Sequence, residues 1–514
     1  MSRLKFYFCV MFARRKKNRS GSISIQVIDK SLNRYRVIHS LGSSSDMAAV
    51  EAMETEAEKW IKKKTGQMEI GFESNKSLVQ EVLENIEQIH VCGTEKLLGK
   101  IFDEIGFNAI PDMLFRHLVL FRIIHPASKL KTSQYLSRHY SYFQDVRQVY
   151  YYMDKLHAQQ QSVVQNISYH HTLELLGGKL SILFYDVTTL YFESDKEDDL
   201  RKRGFSKDGK HAQPQIVLGL LVSIGGYPLA YDIFEGNKFE GYTMIPVIES
   251  FKEKYQVENP VIIADSGMLS EDNIKELTDR EYEFILGARI KSESKGIKKS
   301  ILALNLKNGE STVLKKDDYR LIINYSEARA KKDRFNRERG LRKLEKQIQS
   351  NKLTKSSINN RGYNKYLRIE GDVEVSIDMK KFEQDALWDG LKGYLTNSNL
   401  DEETIVDNYR ELWNIEKAFR ISKHDLQIRP IYHRAERRIE AHICISFVAY
   451  KVYKELERQL KVKGSPWSVE KAIEIAETIY SVKARDTDTG NCTEVTLLLT
   501  NEQREFATLF NLPL

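Results

Sequence analysis

The chain has 514 residues, 41% of them hydrophobic, with 79 Lys and Arg against 72 Asp and Glu, a length at which a single core gives way to several domains. The net charge of +7 and pI near 8.8 are a mild basic bias that suits a nucleic-acid partner without requiring one. No apolar run reaches the ~18 residues of a membrane span, and Cys9, Cys92, Cys444 and Cys492 are too dispersed for zinc-ligand spacing, so a soluble cytoplasmic protein is expected.

The start, MSRLKFYFCVMFARRKKNRS, has a short apolar run, but its strong charges follow that run and no small-residue cleavage site is present, so no signal peptide is expected. Residues 1–76 read as an N-terminal region of β-hairpin and helix. FYFCVMFA, SISIQVIDK and RYRVIHSLG are the strands, with a turn at SLN, a basic run Arg14–Lys17 placed at a turn, a helix over 46–64 and a linker over 66–76. Residues 77–176 read as helical, through KLLGKIFDEIGF, DMLFRHLVLFRIIHP, KLKTSQYLSRHY and DVRQVYYYMDKLH, punctuated by Pro111 and Pro126. This region reads equally as a scaffold and as a domain that grips a DNA end.

From 177 to 289 the pattern changes to period two and continuous apolar runs: KLSILFYDVTTLYFE, PQIVLGLLVSI and YPLAYDIFEG, the last two joined as a hairpin at Gly225-Gly226. A helix over 243–255, a buried strand NPVIIADSG, a helix EDNIKELTD and a strand YEFILGARI follow. Three antiparallel strands and two βα-connected ones describe a mixed α/β sheet. Residues 290–400 read as a β-rich insertion with a charged helix, where Arg329–Lys346 holds nine basic and three acidic residues. Residues 401–450 carry a helix rich in functional residue types, and 451–514 are a C-terminal helical region ending in a strand-like EVTLLLT.

The stretch DNYRELWNIEKAFRISKHDLQIRPIYHRAERRIEAH begins as an amphipathic helix, with Tyr409, Leu412, Trp413, Glu416, Phe419, Arg420 and Lys423 at spacings of three and four. Glu416 stands among apolar neighbours, where a bare carboxylate must be solvated, paired or metal-bound; the plain alternative is a border residue paired with Lys423. Upstream, Asp186 and Asp265 each end an apolar strand run, where α/β sheets commonly place chemistry, although each also suits a turn or a helix cap. Three carboxylates that converge need cations, and Mg²⁺ suits hard oxygen ligands. Two ions about 4 Å apart can activate a nucleophile and stabilise a leaving phosphodiester oxygen.

This set resembles the catalytic triad of DDE transposases on the RNase H-like fold, and the chain is similar to bacterial insertion-sequence transposases of the IS-four type. That group carries Tyr-x2-Arg-x3-Glu-x6-Lys; here the positions hold Tyr409, Leu412, Glu416 and Lys423, so Leu stands in place of the Arg. YDVTTLYFES, GFSKDGKHAQPQIVLGLLV, PLAYDIFEGNKFEGYTMIPVI, IIADSGMLS and FRISKHDLQIRPIYHRAERRIEAHI extend the resemblance over about residues 1–450. It implies an RNase H-like core interrupted by the insertion, with Asp186, Asp265 and Glu416 as catalytic residues and ligands of two Mg²⁺ ions, Mn²⁺ being a substitute. It implies cleavage and strand transfer at the terminal inverted repeats of an insertion sequence, by a homodimer assembled on double-stranded DNA, in the bacterial cytoplasm at the nucleoid. Tyr409, Lys423, Arg420, Arg429 and Arg434 are the expected DNA contacts, with His433, Arg437 and Arg438 further along the backbone. A catalytically inactive DNA-binding derivative of a transposase, a simple RNase H-like nuclease and a two-carboxylate glycoside hydrolase are the rival readings.

Overall fold

The computed structural model describes residues 11–30, 34–65, 85–206, 209–350, 362–370, 374–485 and 490–513. The expected turn at SLN, the 66–76 linker and Cys9 lie outside the described residues. The chain divides into two units, one of Met1–Gln88 with Lys483–Glu494, the other of Ile89–Val482 with Val495–Leu514.

In the smaller unit β1 (Met11–Lys17), β2 (Ile23–Asp29) and β3 (Arg36–Ser44) form an antiparallel sheet, followed by the helix Met47–Thr65. Ile25 and Val27 of β2 pack against Val50 and Ala57 of that helix. The basic run Arg14–Lys17 is not at a turn. It lies within β1, where Arg15 pairs with Glu54 and Arg14 donates to Gln26 at 3.0 Å. The unit boundaries fall inside or beside β4 (Ile86–Val91), β15 (Tyr480–Arg485) and β16 (Cys492–Leu497).

The larger unit is built on an eight-stranded mixed sheet. Its strands are β5 (Ile182–Tyr191), β6 (Gln215–Val222), β7 (Pro228–Glu235), β8 (Val261–Ala264), β9 (Phe284–Ala288), β10 (Ser311–Lys316), β11 (Tyr319–Tyr325) and β14 (Leu391–Thr396), in the order β10-β11-β14-β9-β8-β5-β6-β7. β5, β6 and β7 run antiparallel, and β8 and β9 run parallel to β5. The expected hairpin forms at Gly225-Gly226, whose φ values of 80° and 79° suit residues without a Cβ. Three strands of the 290–400 segment do not stand apart: β14 pairs antiparallel with β9, and β11 and β10 follow it. The remaining strands there, β12 (Leu367–Glu370) and β13 (Glu374–Ile377), form their own hairpin.

Both sheet faces are buried, which explains the continuous apolar runs of β5 and β6. Alternation sorts their side chains. Phe184, Ile263 and Ile285 face one core, with Ile415, Phe419 and the long helix Glu436–Val462. Leu183, Tyr185, Ala264 and Leu286 face the other, with Val247 and Phe251 of the helix Met244–Tyr255. Ahead of the sheet come helices Lys100–Ile105, Met113–Ile124, Lys129–His139 and Val146–Leu175; Asp112, Ser128 and Asp145 cap the last three through side-chain oxygens. No helix among the described residues is long and apolar enough to cross a membrane.

Candidate active site

The positions of the two aspartates follow from strand register. In the parallel pair, Phe184 stands opposite Ile263 and Tyr185 opposite Ala264. The next residues are Asp186 and Asp265, and period-two alternation returns both to the face of Phe184 and Ile263. Glu416 belongs to the helix Trp413–Arg420, whose Ile415, Ala418 and Phe419 are buried on that same face. All three carboxylates therefore lie on one face of the sheet. Tyr409 is buried, at 6% exposure, and burial first, then Asp265, Tyr394, Glu416 and Asp186, push its phenol well above the ordinary range.

Each carboxylate has its own setting. Asp186 is half-buried within β5, and one of its oxygens accepts the Val187 N–H at 2.7 Å. Asp265 follows β8, and its Oδ1 accepts the Gly267 N–H at 2.7 Å; the turn-forming role foreseen for it is thus real and coexists with its place in the site. A Cβ at Gly267 would stand 2.8 Å from that oxygen. Arg289 Nε donates to the Ser266 carbonyl at 3.0 Å and ties the Asp265 loop to the end of β9.

The Glu416 region differs from the single stripe expected. The helix Glu402–Arg410 stops, the chain turns at Glu411-Leu412, and a second helix begins at Trp413. Glu416 is exposed, beside an exposed Trp413 and Arg420, while Asn414, Ile415, Ala418 and Phe419 form the buried face. The carboxylate is thus solvated rather than buried among apolar neighbours, because the break rotates the second helix. Its helix rests on the β6–β7 turn, where a Cβ at Gly226 would stand 3.2 Å from that of Asn414. Leu412, at the motif's Arg position, is 5% exposed and part of the core. Lys423 is half-buried in a wider, π-type turn, Ile421–Asp425, not on a straight extension of the helix.

Among the expected DNA contacts, Arg420 and Arg434 are exposed, and Arg429 lies with its guanidinium 6.0 Å from the Tyr191 ring at the end of β5. Lys210 Nζ is 5.5 Å from the same ring, so the turn before β6 lies at the carboxyl end of β5. Arg437, which is exposed, and Arg438, which is half-buried, both pair with Asp154, at 2.9 and 2.6 Å. His433 is packed beside Tyr150 and His442.

Sequence reading missed Lys392. It lies on β14, two residues from Tyr394, so alternation puts both on the carboxylate face; its Nζ is 4.3 Å from the centre of the Tyr409 ring. Burial, then Arg329, lower its pKa to about 8, against an opposing pull from Glu416. Lys392, Arg329, Arg289 and Tyr409 line a cleft of about 660 Å³ beside the Asp265 loop. The alternation of GLKGYLTN was a visible signal, but only the pairing of β14 with β9 gives it meaning.

The chemistry of this set is that of hard oxygen donors, which suits Mg²⁺ or Mn²⁺. Among the described residues no group of three or more His, Cys, Asp or Glu is drawn tightly enough to hold an ion; Asp186 and Asp265 each turn an oxygen towards a nearby N–H. Cys92, Cys444 and Cys492 are not joined in disulfides.

The family model described as a transposase DDE domain matches residues 177–451, more than half of the chain. The cryo-EM structure of the piggyBac transposase synaptic complex with hairpin DNA is similar over 75% of this chain and 76% of that chain, at 10% identity and a TM-score of 0.39. A search of curated proteins gave no match. The matched span begins just before β5 and ends within the helix Glu436–Val462, so it takes in all three carboxylates, and the chain belongs to the transposase DDE domain family.

Proposed function

We propose that this protein is a transposase of the bacterial IS-four type that cuts and joins DNA at the terminal inverted repeats of an insertion sequence, on an RNase H-like core. The observation that supports the reading is the register of parallel β5 and β8, which brings Asp186 and Asp265 next to each other inside the span matched to the transposase DDE domain. Six segments serve this work: 1–76 and 77–176 on the DNA end, 177–289 and 401–450 as the core, 290–400 as an insertion that extends it, and 451–514 as support.

Asp186 takes the central position, with Asp265 and Glu416 on either side. Two divalent ions held by them would supply an activated oxygen nucleophile and stabilise the leaving oxygen of a phosphodiester. Lys423 and Lys392 neutralise the phosphate charge next to these carboxylates as point charges. Tyr409 packs the helix Glu402–Arg410, which leads into the Glu416 helix, against β9, and Arg289 fixes the Asp265 loop. Arg420, Arg429 and Arg434 hold the DNA backbone without reading sequence. Hydrolysis frees a 3′-hydroxyl, whose oxygen then attacks the phosphorus of a second phosphodiester, and as the new P–O bond forms the P–O bond to that strand's 3′-oxygen breaks and the oxygen leaves as a hydroxyl. Because two element ends must be joined, the protein works as a homodimer assembled on DNA, at the bacterial nucleoid.

The test is cleavage of labelled DNA carrying the element end, with and without Mg²⁺, by wild type and by folded Asp186→Ala, Asp265→Ala and Glu416→Ala. Metal-dependent nicking at the element boundary, lost in all three variants, is the expected result. Binding without cleavage by wild type under Mg²⁺ and Mn²⁺ would refute the enzymatic reading in favour of a DNA-binding derivative. Cleavage that survives Glu416→Ala would remove Glu416 from the triad.

A further inference from the structure

Beyond the carboxyl end of β5 lies a cavity of about 190 Å³ whose described lining holds several cationic side chains and no acidic one. Arg122 comes from the helix Met113–Ile124 and Lys129 from the first turn of the next helix, while the neutral His442, from the helix Glu436–Val462, lines the same cavity. They are 6%, 4% and 5% exposed. Among the described residues neither Arg122 nor Lys129 is offset by a carboxylate: burial lowers both, and Arg122 further lowers Lys129. His433 is pushed down to about 3 by burial and by Lys129, Arg122 and Arg438. His442, held neutral by burial first and then by Arg122, donates its Nε2–H to the Ile428 carbonyl at 3.0 Å, which leaves Nδ1 as an acceptor, so the positive charge of the cavity comes from the Arg and Lys side chains.

Buried cations without counter-charges are unfavourable in the free protein, so this arrangement points to an anion supplied from outside. The helix Lys129–His139 adds to it. Its N-cap Ser128 lines the cavity and accepts from the Lys131 N–H, and the earlier amides of a helix's first turn have no intrahelical acceptor. One wall, Gln427–His433, is pinned to the strand that carries Asp186, since the Ile431 N–H donates to the Tyr191 carbonyl at 3.0 Å.

We infer that this cavity is a phosphate site, built from Arg122 and Lys129 at the N-terminus of the helix Lys129–His139, that takes one backbone phosphodiester of the DNA strand leaving the carboxylate site. The inference rests on the reading of the protein as a DNA-acting enzyme.

The full chain is tested by thermal unfolding in inorganic phosphate and in chloride at matched ionic strength. Wild type melts higher in phosphate, while Lys129→Met and Arg122→Gln melt higher than wild type in chloride and lose most of the phosphate shift. Binding to a duplex of mixed sequence is then followed against salt. Lys129→Met lowers the slope of log K against log[salt] by about 0.9, the value for one phosphate contact, and inorganic phosphate competes with DNA in wild type only. A phosphate shift with an unchanged DNA slope would overturn the DNA assignment and leave a free-phosphate site. The absence of both effects would overturn the site, and this comparison on wild type needs no variant to fold. Glu416→Ala keeps both effects, so loss of cleavage and loss of this site are read separately.

Discussion

Gly287 offers the sharpest test of how the site is held. It lies on β9, on the carboxylate face, and a Cβ there would stand 2.4 Å from Tyr409 Oη, 3.2 Å from Tyr409 Cζ and 3.0 Å from the Ser266 amide nitrogen. To regain an ordinary separation of about 3.5 Å, the phenol must retreat by about 1 Å. Tyr409 is buried and Ser266 belongs to the Asp265 loop, so neither yields freely. Overpacking of this kind costs about 1–3 kcal/mol, and misplacing a reacting group by about 1 Å can cost about 10²-fold in rate. Gly287→Ala is therefore expected to lower the melting temperature and to reduce metal-dependent nicking about 10²-fold, with DNA affinity nearly unchanged. Tyr409→Phe removes the atom in closest conflict, so the double variant should recover part of the stability, with a coupling of about 0.5–3 kcal/mol in a double-mutant cycle. A Gly287→Ala protein that melts and cleaves like wild type would refute the packing of Tyr409 on β9, and with it the role given to Tyr409.

Leu412→Arg, which supplies the Arg of the resembled Tyr-x2-Arg-x3-Glu-x6-Lys pattern, should destabilise the protein by more than about 3 kcal/mol, because it places a charge in the core; unfolding in urea measures this, and a stable, more active variant would contradict the burial of Leu412. Lys392 is charged below its pKa of about 8, so cleavage should fall as pH rises through that value, and Lys392→Arg, which stays charged, should extend activity to higher pH in a pH–rate profile. An alkaline limb unchanged in Lys392→Arg would remove Lys392 from the site. The carboxyl of Asp154, held well below the usual range by hydrogen bonds to Arg438 and Arg437 despite opposing burial, stabilises the fold at neutral pH. That contribution is present above the unfolded value of about 3.9 and is lost as pH falls through the lower folded value. Asp154→Asn should cost about 1 kcal/mol at pH 7, given the partial exposure of the pair, and should flatten stability against pH on the acid side.

The chain by itself determined the strands and the two aspartates. Short apolar runs rich in β-branched residues and bounded by turn signals read as strands buried on both faces, and VIIAD delivers Asp265 where its run meets a loop, whereas Asp186 lies inside β5, which continues to Tyr191. Gly225-Gly226 fixed the hairpin on which the Glu416 helix rests. Local pattern also located the Glu416 helix, but not its break at Glu411-Leu412, because spacings of three and four persist across a short turn. Only the tertiary structure decided that Glu416 is exposed while Leu412 is buried. Periodicity fixes which residues share a stripe, not how that stripe is turned towards the core. The same limit hid Lys392, whose face depends on β14 pairing with β9 from more than a hundred residues away. It also hid Arg122 and Lys129, whose lack of counter-charge follows from what the fold leaves around them. Arg437 and Arg438 show the converse, since their partner Asp154 lies on a helix nearly three hundred residues earlier, and no local pattern announces such a pair.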